Sequence, residues 1–108
     1  MNRGEIYRVR RPPGNDPKRS RGFVIVSRQA LIDSKAARVV CAPVNTTYVG
    51  LATQVPVGVD EGLKHPSCIN CDQLFTLDKS VLTDFVAALS AAKFRQLRTA
   101  LRIALAVE

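Results

Sequence analysis

At 108 residues and 46 % hydrophobic, the chain has the size and composition of a single folded domain spanning 1–108, and its composition excludes global disorder. Sixteen Lys and Arg against nine Asp and Glu leave a net charge of +7, the footprint of a polyanion binder, although solubility alone also accounts for a basic surface. No apolar run approaches the ~20 residues needed to cross a bilayer, no signal-peptide pattern opens the chain, and three cysteines leave at least one unpaired, so a reducing, cytoplasmic setting is expected. A domain this small buries a limited share of its surface, which favours pairing with a second copy.

The elements follow in chain order. Glu5-Ile6-Tyr7-Arg8-Val9-Arg10 alternates, with Tyr7 and Val9 on one face and Ile6, Arg8 and Arg10 on the other, which predicts a short half-buried strand. Residues 11–21 hold three prolines, a glycine and four Lys or Arg, so they form a basic loop. The β-branched and aromatic run at 22–27 reads as a buried central strand, and 29–34 as one helical turn. A third strand covers 38–44 and ends in Asn45-Thr46-Thr47. A fourth, 53–59, points Val55, Val57 and Val59 inward, and Pro56 confines it to an edge or a bulge.

After a turn at Asp60-Glu61-Gly62, a fifth strand is predicted over 67–74. Asp78 then caps a helical turn at 79–82. Ser90 caps the one long helix, whose stripe of Phe94, Leu97, Leu101, Ala104 and Leu105 opposes Arg95, Arg98 and Arg102, a solvated charged face. Short strands followed by one C-terminal helix indicate an α+β, mostly β fold: a small antiparallel barrel or curled sheet with helices packed outside.

The sequence excludes several enzyme classes. It has no Walker or Rossmann glycine cradle and no Gly-x-Ser-x-Gly elbow, and its lone histidine, His65, gives little support to a serine triad. Cys68 and Cys71 form a Cys-x-x-Cys pair, but only Cys41 and His65 remain to complete a zinc site, and the usual second pair is missing. Buried free thiols are the commoner outcome, so no metal and no cofactor is assigned.

More informative is the placement of polar groups at strand ends: Arg21 where the basic loop enters the central strand, Asn45-Thr46-Thr47 after the third, and Asp72-Gln73 on the fifth. These clusters can converge on one rim of a barrel. Composition alone favours a plainer account, in which Arg21 is a loop charge, the threonines make a turn and Asp72 pairs with an arginine.

The order of segments shifts that balance. Met1-Asn2-Arg3-Gly4-Glu5-Ile6-Tyr7 resembles the Arg-Gly-Glu/Asp-Ile/Val-Trp/Tyr opening of the MazF/PemK/Kid toxins. The stretch 20–27 is similar to their Arg-Pro-Val-Leu-Val-Val-Ser strand, 39–46 to their Val-Ala-Pro-Leu-Thr-Ser, and 71–78 to their Cys-Asp-Gln-x-Arg-Thr-Ile/Val-Asp. Gly62-Leu63 and Pro66-Ser67 fit the family's lead-in to that last block. The four blocks keep order and spacing across nearly the whole chain.

The resemblance implies an SH3-like barrel of the CcdB/PemK kind, with a long C-terminal helix and a homodimer whose RNA channel crosses the interface. It implies metal-independent, sequence-selective cleavage of single-stranded RNA by attack of a 2′-hydroxyl on the adjacent phosphate. It also implies a cognate antitoxin whose flexible acidic tail occupies the groove. Arg21 matches the family's key arginine, and Asp72 an acidic residue with a catalytic role in the plasmid branch. The family's threonine aligns with Asn45, and Thr46, one step on, is taken as its counterpart. Lys18, Arg19, Ser20, Asn45, Thr47 and Gln73 are then the expected RNA-binding residues.

The chain also departs from the pattern. Gly22 replaces the proline after the arginine and frees the backbone there, Asn70 and Phe75 replace basic positions, and the first loop has no histidine. These departures leave the general base and general acid open. Two alternatives stand beside the ribonuclease: a CcdB-like gyrase poison, which the missing tryptophan and the ending Leu105-Ala106-Val107-Glu108 oppose, and an inactive RNA- or antitoxin-binding relative.

Overall fold

The computed structural model describes residues 1–10 and 20–108. Lys18 and Arg19 lie outside the described residues. The fold is a curled antiparallel sheet with a long C-terminal helix packed on it. Its strands are β1 (Glu5–Arg10), β2 (Ser20–Ile25), β3 (Arg38–Asn45), β4 (Gln54–Val57), β5 (Ser67–Asn70), β6 (Phe75–Asp78) and β7 (Asp84–Ala88). A short helix, α1 (Gln29–Ile32), follows β2, and α2 (Ala91–Leu105) follows β7.

The strands run in the order β4-β5-β3-β2-β1-β7, with β6 also paired to β3. β3 is the axis of this arrangement. One edge of it pairs with β2, while its other edge takes β6 along 38–41 and β5 at Val44 and Asn45. β4 lies at an edge of the sheet, as Pro56 requires, since proline has no N–H to give a second neighbour.

Alternation sends each strand's apolar residues to both faces, and both are covered. Ile6, Val24, Ala42, Val55 and Ile69 pack against Leu97, Ala100 and Leu101 of α2. Tyr7, Val9, Phe23, Ile25, Val39 and Cys41 form the second core with Leu77, Leu82 and Ile32. β1 is therefore more buried than a half-exposed strand, with Ile6 in one core and Tyr7 in the other.

The opening Arg3-Gly4-Glu5 is structural. Gly4 has φ +86°, and a Cβ there would stand 2.8 Å from Cδ2 of Phe94, so only glycine fits both the backbone and the space. Arg3 lays its guanidinium 5.4 Å from the Phe94 ring centroid and donates from Nε to the Val26 carbonyl at 3.0 Å. Glu5 accepts from the Asn2 amide at 2.7 Å and from the Tyr7 hydroxyl at 2.9 Å. Burial first, and then Glu5, push the Tyr7 phenol up to about 12.

Several boundaries differ from the sequence expectation. β2 begins at Ser20, bringing Arg21 into the strand. β4 stops at Val57, and Val59, expected inward, is 73 % exposed because it opens a 3₁₀ turn closed by Gly62 at φ +80°. The predicted fifth strand is two strands. Asn70 accepts from the Asp72 amide at 3.0 Å, bends the chain, and releases Phe75–Asp78 to pair with the far half of β3. Asp78 makes no cap, since its carboxylate holds Arg38 at 2.9 Å. β7 was not anticipated. It pairs with β1 and sets Phe85 edge-on to Tyr7. The long helix starts as expected, with Ser90 Oγ accepting from the Lys93 amide at 3.1 Å, but Leu105 at the end of its predicted apolar stripe is 54 % exposed.

Candidate active site

Strand register brings the arginine and the threonines together. Phe23 pairs with Pro43, so two steps outward Arg21 stands beside Asn45 at the end of β3, and Arg21 pairs with Val9 on its other side. Asn45 Oδ1 accepts a hydrogen bond from Arg21 Nη2, and the guanidinium carbon lies 6.0 Å from the Phe23 ring centroid. The amide and the ring thereby fix the direction of the guanidinium fork. Arg21 is half-buried, whereas Thr46 and Thr47 are exposed at the mouth.

Around this pair opens a cleft of ≈ 800 Å³. Ser20, Arg21, Asn45, Thr46 and Thr47 line one part, joined by Arg8 from β1 and by Lys64, His65 and Ser67 from the β4–β5 connection. Val44, Leu63 and Val86 form its apolar floor. Among the described residues no carboxylate lines it, so its fixed charges are all positive. That field attracts a polyanion such as a nucleic-acid backbone.

Gly22 lies at the centre of this floor. It sits within β2, paired with Arg8, and does not adopt the left-handed backbone that glycine permits. A Cβ there would come within 3.3 Å of Val44 Cβ, so glycine serves close packing. The expected freeing of the backbone at this position is corrected accordingly: ladder pairing on β1 holds the residue.

Five of the sequence-predicted residues, Ser20, Arg21, Asn45, Thr46 and Thr47, come together. Asp72 and Gln73 are not brought to the cleft. They occupy the turn at the opposite end of β5, where Asp72 Oδ2 accepts from Thr53 Oγ1 at 2.5 Å. Sequence reasoning passed over Arg8, Lys64 and His65. In the sequence Arg8 only shares a strand face with Ile6 and Arg10, and His65 offers itself only to zinc or a triad. A signal for Lys64 and His65 was available, since both fall between the matched Gly62-Leu63 and Pro66-Ser67.

All three cysteines are free and buried. Burial pushes the Cys41 thiol up to about 12. Burial, and then the neighbouring Asp72 and Cys68, push Cys71 up to about 11. Burial also raises Cys68. Thiolate is scarce at neutral pH, so none is an activated nucleophile.

A curled sheet, an outer helix and a cleft at the strand ends, lined among the described residues by Arg and Lys and by no carboxylate, characterise this domain. The chain belongs to the family of PemK-like, MazF-like toxins of type II toxin–antitoxin systems, which residues 2–105 match. It is 37 % identical over 59 residues to the endoribonuclease MazF3 of Mycobacterium tuberculosis, a match covering 55 % of this chain and 56 % of that relative. The M. tuberculosis toxin MazF-mt6 superposes with a TM-score of 0.81 at 29 % identity, covering 96 % of this chain and 98 % of that one. A mycobacterial endoribonuclease in complex with its cognate antitoxin superposes with a TM-score of 0.84, also at 29 % identity, covering 98 % and 95 %. MazF of Deinococcus radiodurans, at 17 % identity and a TM-score of 0.77, shares the fold.

Proposed function

We propose that this chain is the toxin of a type II toxin–antitoxin pair, an endoribonuclease that cuts single-stranded RNA in the Arg21 cleft without a metal. One observation carries the reading: a guanidinium fork, oriented by Asn45, stands beside the Thr46–Thr47 hydroxyls in an open cleft whose fixed charges, among the described residues, are all positive.

The chemistry follows from RNA itself. Its 2′-hydroxyl lies beside the phosphate, and DNA has no such group. As the 2′-oxygen bonds to phosphorus, the bond to the 5′-oxygen breaks. One proton leaves the nucleophile and one reaches the leaving oxygen. Arg21 presents paired donors to the phosphate oxygens as their charge grows, and Thr46 adds a hydroxyl donor. Arginine stays protonated and threonine does not titrate near neutrality, so neither carries the protons. Asp72, the base suggested by the resemblance, is bonded to Thr53 outside the cleft. Of the described side chains that line the cleft, only histidine ordinarily exchanges a proton near neutrality, and this reading gives His65 that task.

The reading extends to partners. An acidic antitoxin segment is the protein ligand that a cleft lined by Arg8, Arg21 and Lys64 attracts, and the related mycobacterial endoribonuclease was solved with its cognate antitoxin. A homodimer and a cytoplasmic location complete it. Among the described residues no helix is long and apolar enough to cross a membrane.

Incubating the purified chain with a long single-stranded RNA in EDTA tests the function. Discrete cuts ending in cyclic phosphate, with a DNA of the same sequence left intact, are expected. Intact RNA would overturn it, and stalled gyrase in parallel would point to the CcdB-like alternative. Sedimentation at micromolar concentration tests the dimer.

A further inference from the structure

The β3–β4 loop carries Thr46 and Thr47 to the cleft, yet its own apolar side chains do not anchor it. Tyr48, Val49 and Leu51 are 51 %, 65 % and 53 % exposed. A loop that buries so little apolar surface depends on polar contacts for its shape.

Gln54, the first residue of β4, supplies most of them. Its side-chain oxygen accepts from the Val49 amide at 3.1 Å and the Leu51 amide at 3.3 Å. Its Nε2 donates to the Thr47 carbonyl at 3.4 Å, and its backbone N–H donates to Leu51 at 3.0 Å. Cys68, wholly buried on β5 opposite Asn45, donates its S–H to the same Thr47 carbonyl at 3.3 Å. One primary amide thus satisfies two backbone donors and one backbone acceptor of a loop that has left the sheet. The buried thiol ties that carbonyl to the strand beside Asn45, the residue that orients Arg21.

We propose that Gln54, assisted by Cys68, is a positioning residue that sets where the Thr46 and Thr47 hydroxyls stand relative to Arg21. The proposal rests on the ribonuclease reading of the cleft. Gln54 is absent from the cleft wall and acts through the loop. Arg21 and Thr46 must meet one phosphate at the same instant, and a displacement of about 1 Å costs ~10²-fold in rate. Releasing the loop therefore lowers kcat more than it weakens binding, which the fixed charges of Arg8, Arg21 and Lys64 continue to provide.

Gln54→Met keeps the side-chain length and removes its polar contacts, whereas Gln54→Glu keeps the two acceptor contacts. In Gln54→Met, hydrogen exchange by NMR is expected to speed up at least tenfold at the Val49 and Leu51 amides, while α2 amides keep their protection. On RNA, kcat is expected to fall ~10- to 100-fold with KM within about twofold. Gln54→Glu recovers the amide protection but only part of kcat, because a carboxylate has no hydrogen to donate to the Thr47 carbonyl. The proposal is overturned if Gln54→Met leaves the two amides protected, if it frees them with kcat unchanged, or if KM alone changes. A wild-type chain that cuts no RNA overturns the ribonuclease reading instead, a failure told apart because amide exchange reads the clamp without RNA.

Discussion

Two arginine-bearing concavities lie at opposite ends of β2 and β3. The cleft at one end has Arg8, Arg21 and Lys64 interleaved with an amide, hydroxyls and an imidazole. The cavity at the other end, ≈ 420 Å³, has Arg3, Arg28, Arg98 and Arg102 around Val26, Leu31, Val40, Leu74, Leu101 and Leu105. Charge is abundant in both, so charge does not distinguish them. The arginines differ in what they are committed to. Arg3 is committed to the Val26 carbonyl and the Phe94 ring, and burial and then Arg98 pull it below its usual value. Arg21 gives one Nη2 hydrogen bond to Asn45, and among the described residues it has no other side-chain hydrogen bond and no carboxylate partner. A positive patch becomes a candidate for phosphate chemistry where an oriented fork and hydroxyl donors converge.

Changes at three places break or sharpen that contrast. The largest effect is expected at Arg21: Arg21→Ala should lower RNA cleavage by ~10³-fold or more while the melting temperature holds, and Arg21→Lys should stay strongly impaired, because a point charge cannot fork. Cleavage by Arg21→Lys at the wild-type rate would remove bidentate contact from the account. Next comes His65→Gln, expected to lower the cleavage rate by ~10²-fold. Cleavage by His65→Gln at the wild-type rate would return the proton question to groups outside the described cleft wall. Smallest is the double change Arg98→Gln with Arg102→Gln in the second cavity, expected to leave kcat within about twofold and to lower only the salt dependence of binding. If it matched the loss at Arg21, the distinction between the two regions would fall.

Much of the fold was legible in the residues because its signals are local. Period-two alternation marked β1, and continuous β-branched runs marked β2 and β3. Pro56 confined β4 to an edge, and Ser90 with its apolar stripe marked α2. The Asn45-Thr46-Thr47 cluster was visible as polar groups following an apolar strand. Less legible were elements whose signal depends on distant partners. Asp84–Ala88 alternates weakly by itself and becomes a strand because β1 offers an edge. The run at 67–74 read as one strand because its alternation continues through a turn that the Asn70 side chain makes. Asp72 illustrates the limit at the site. A family-like motif surrounds it, yet it lies past the end of β5, away from the cleft.

The sequence by itself determined the charge, the class of fold, the family blocks and Arg21 as the arginine to examine, all written in neighbouring residues and their spacing. Tertiary structure alone decided which groups Arg21 meets. Antiparallel pairing of β2 with β3 places Asn45 at its side, and the left-handed turn at Gly62 leads the chain on to Lys64 and His65 in the cleft wall. Those juxtapositions depend on register between strands far apart in the chain, and no local pattern of residue types encodes which strand lies beside which.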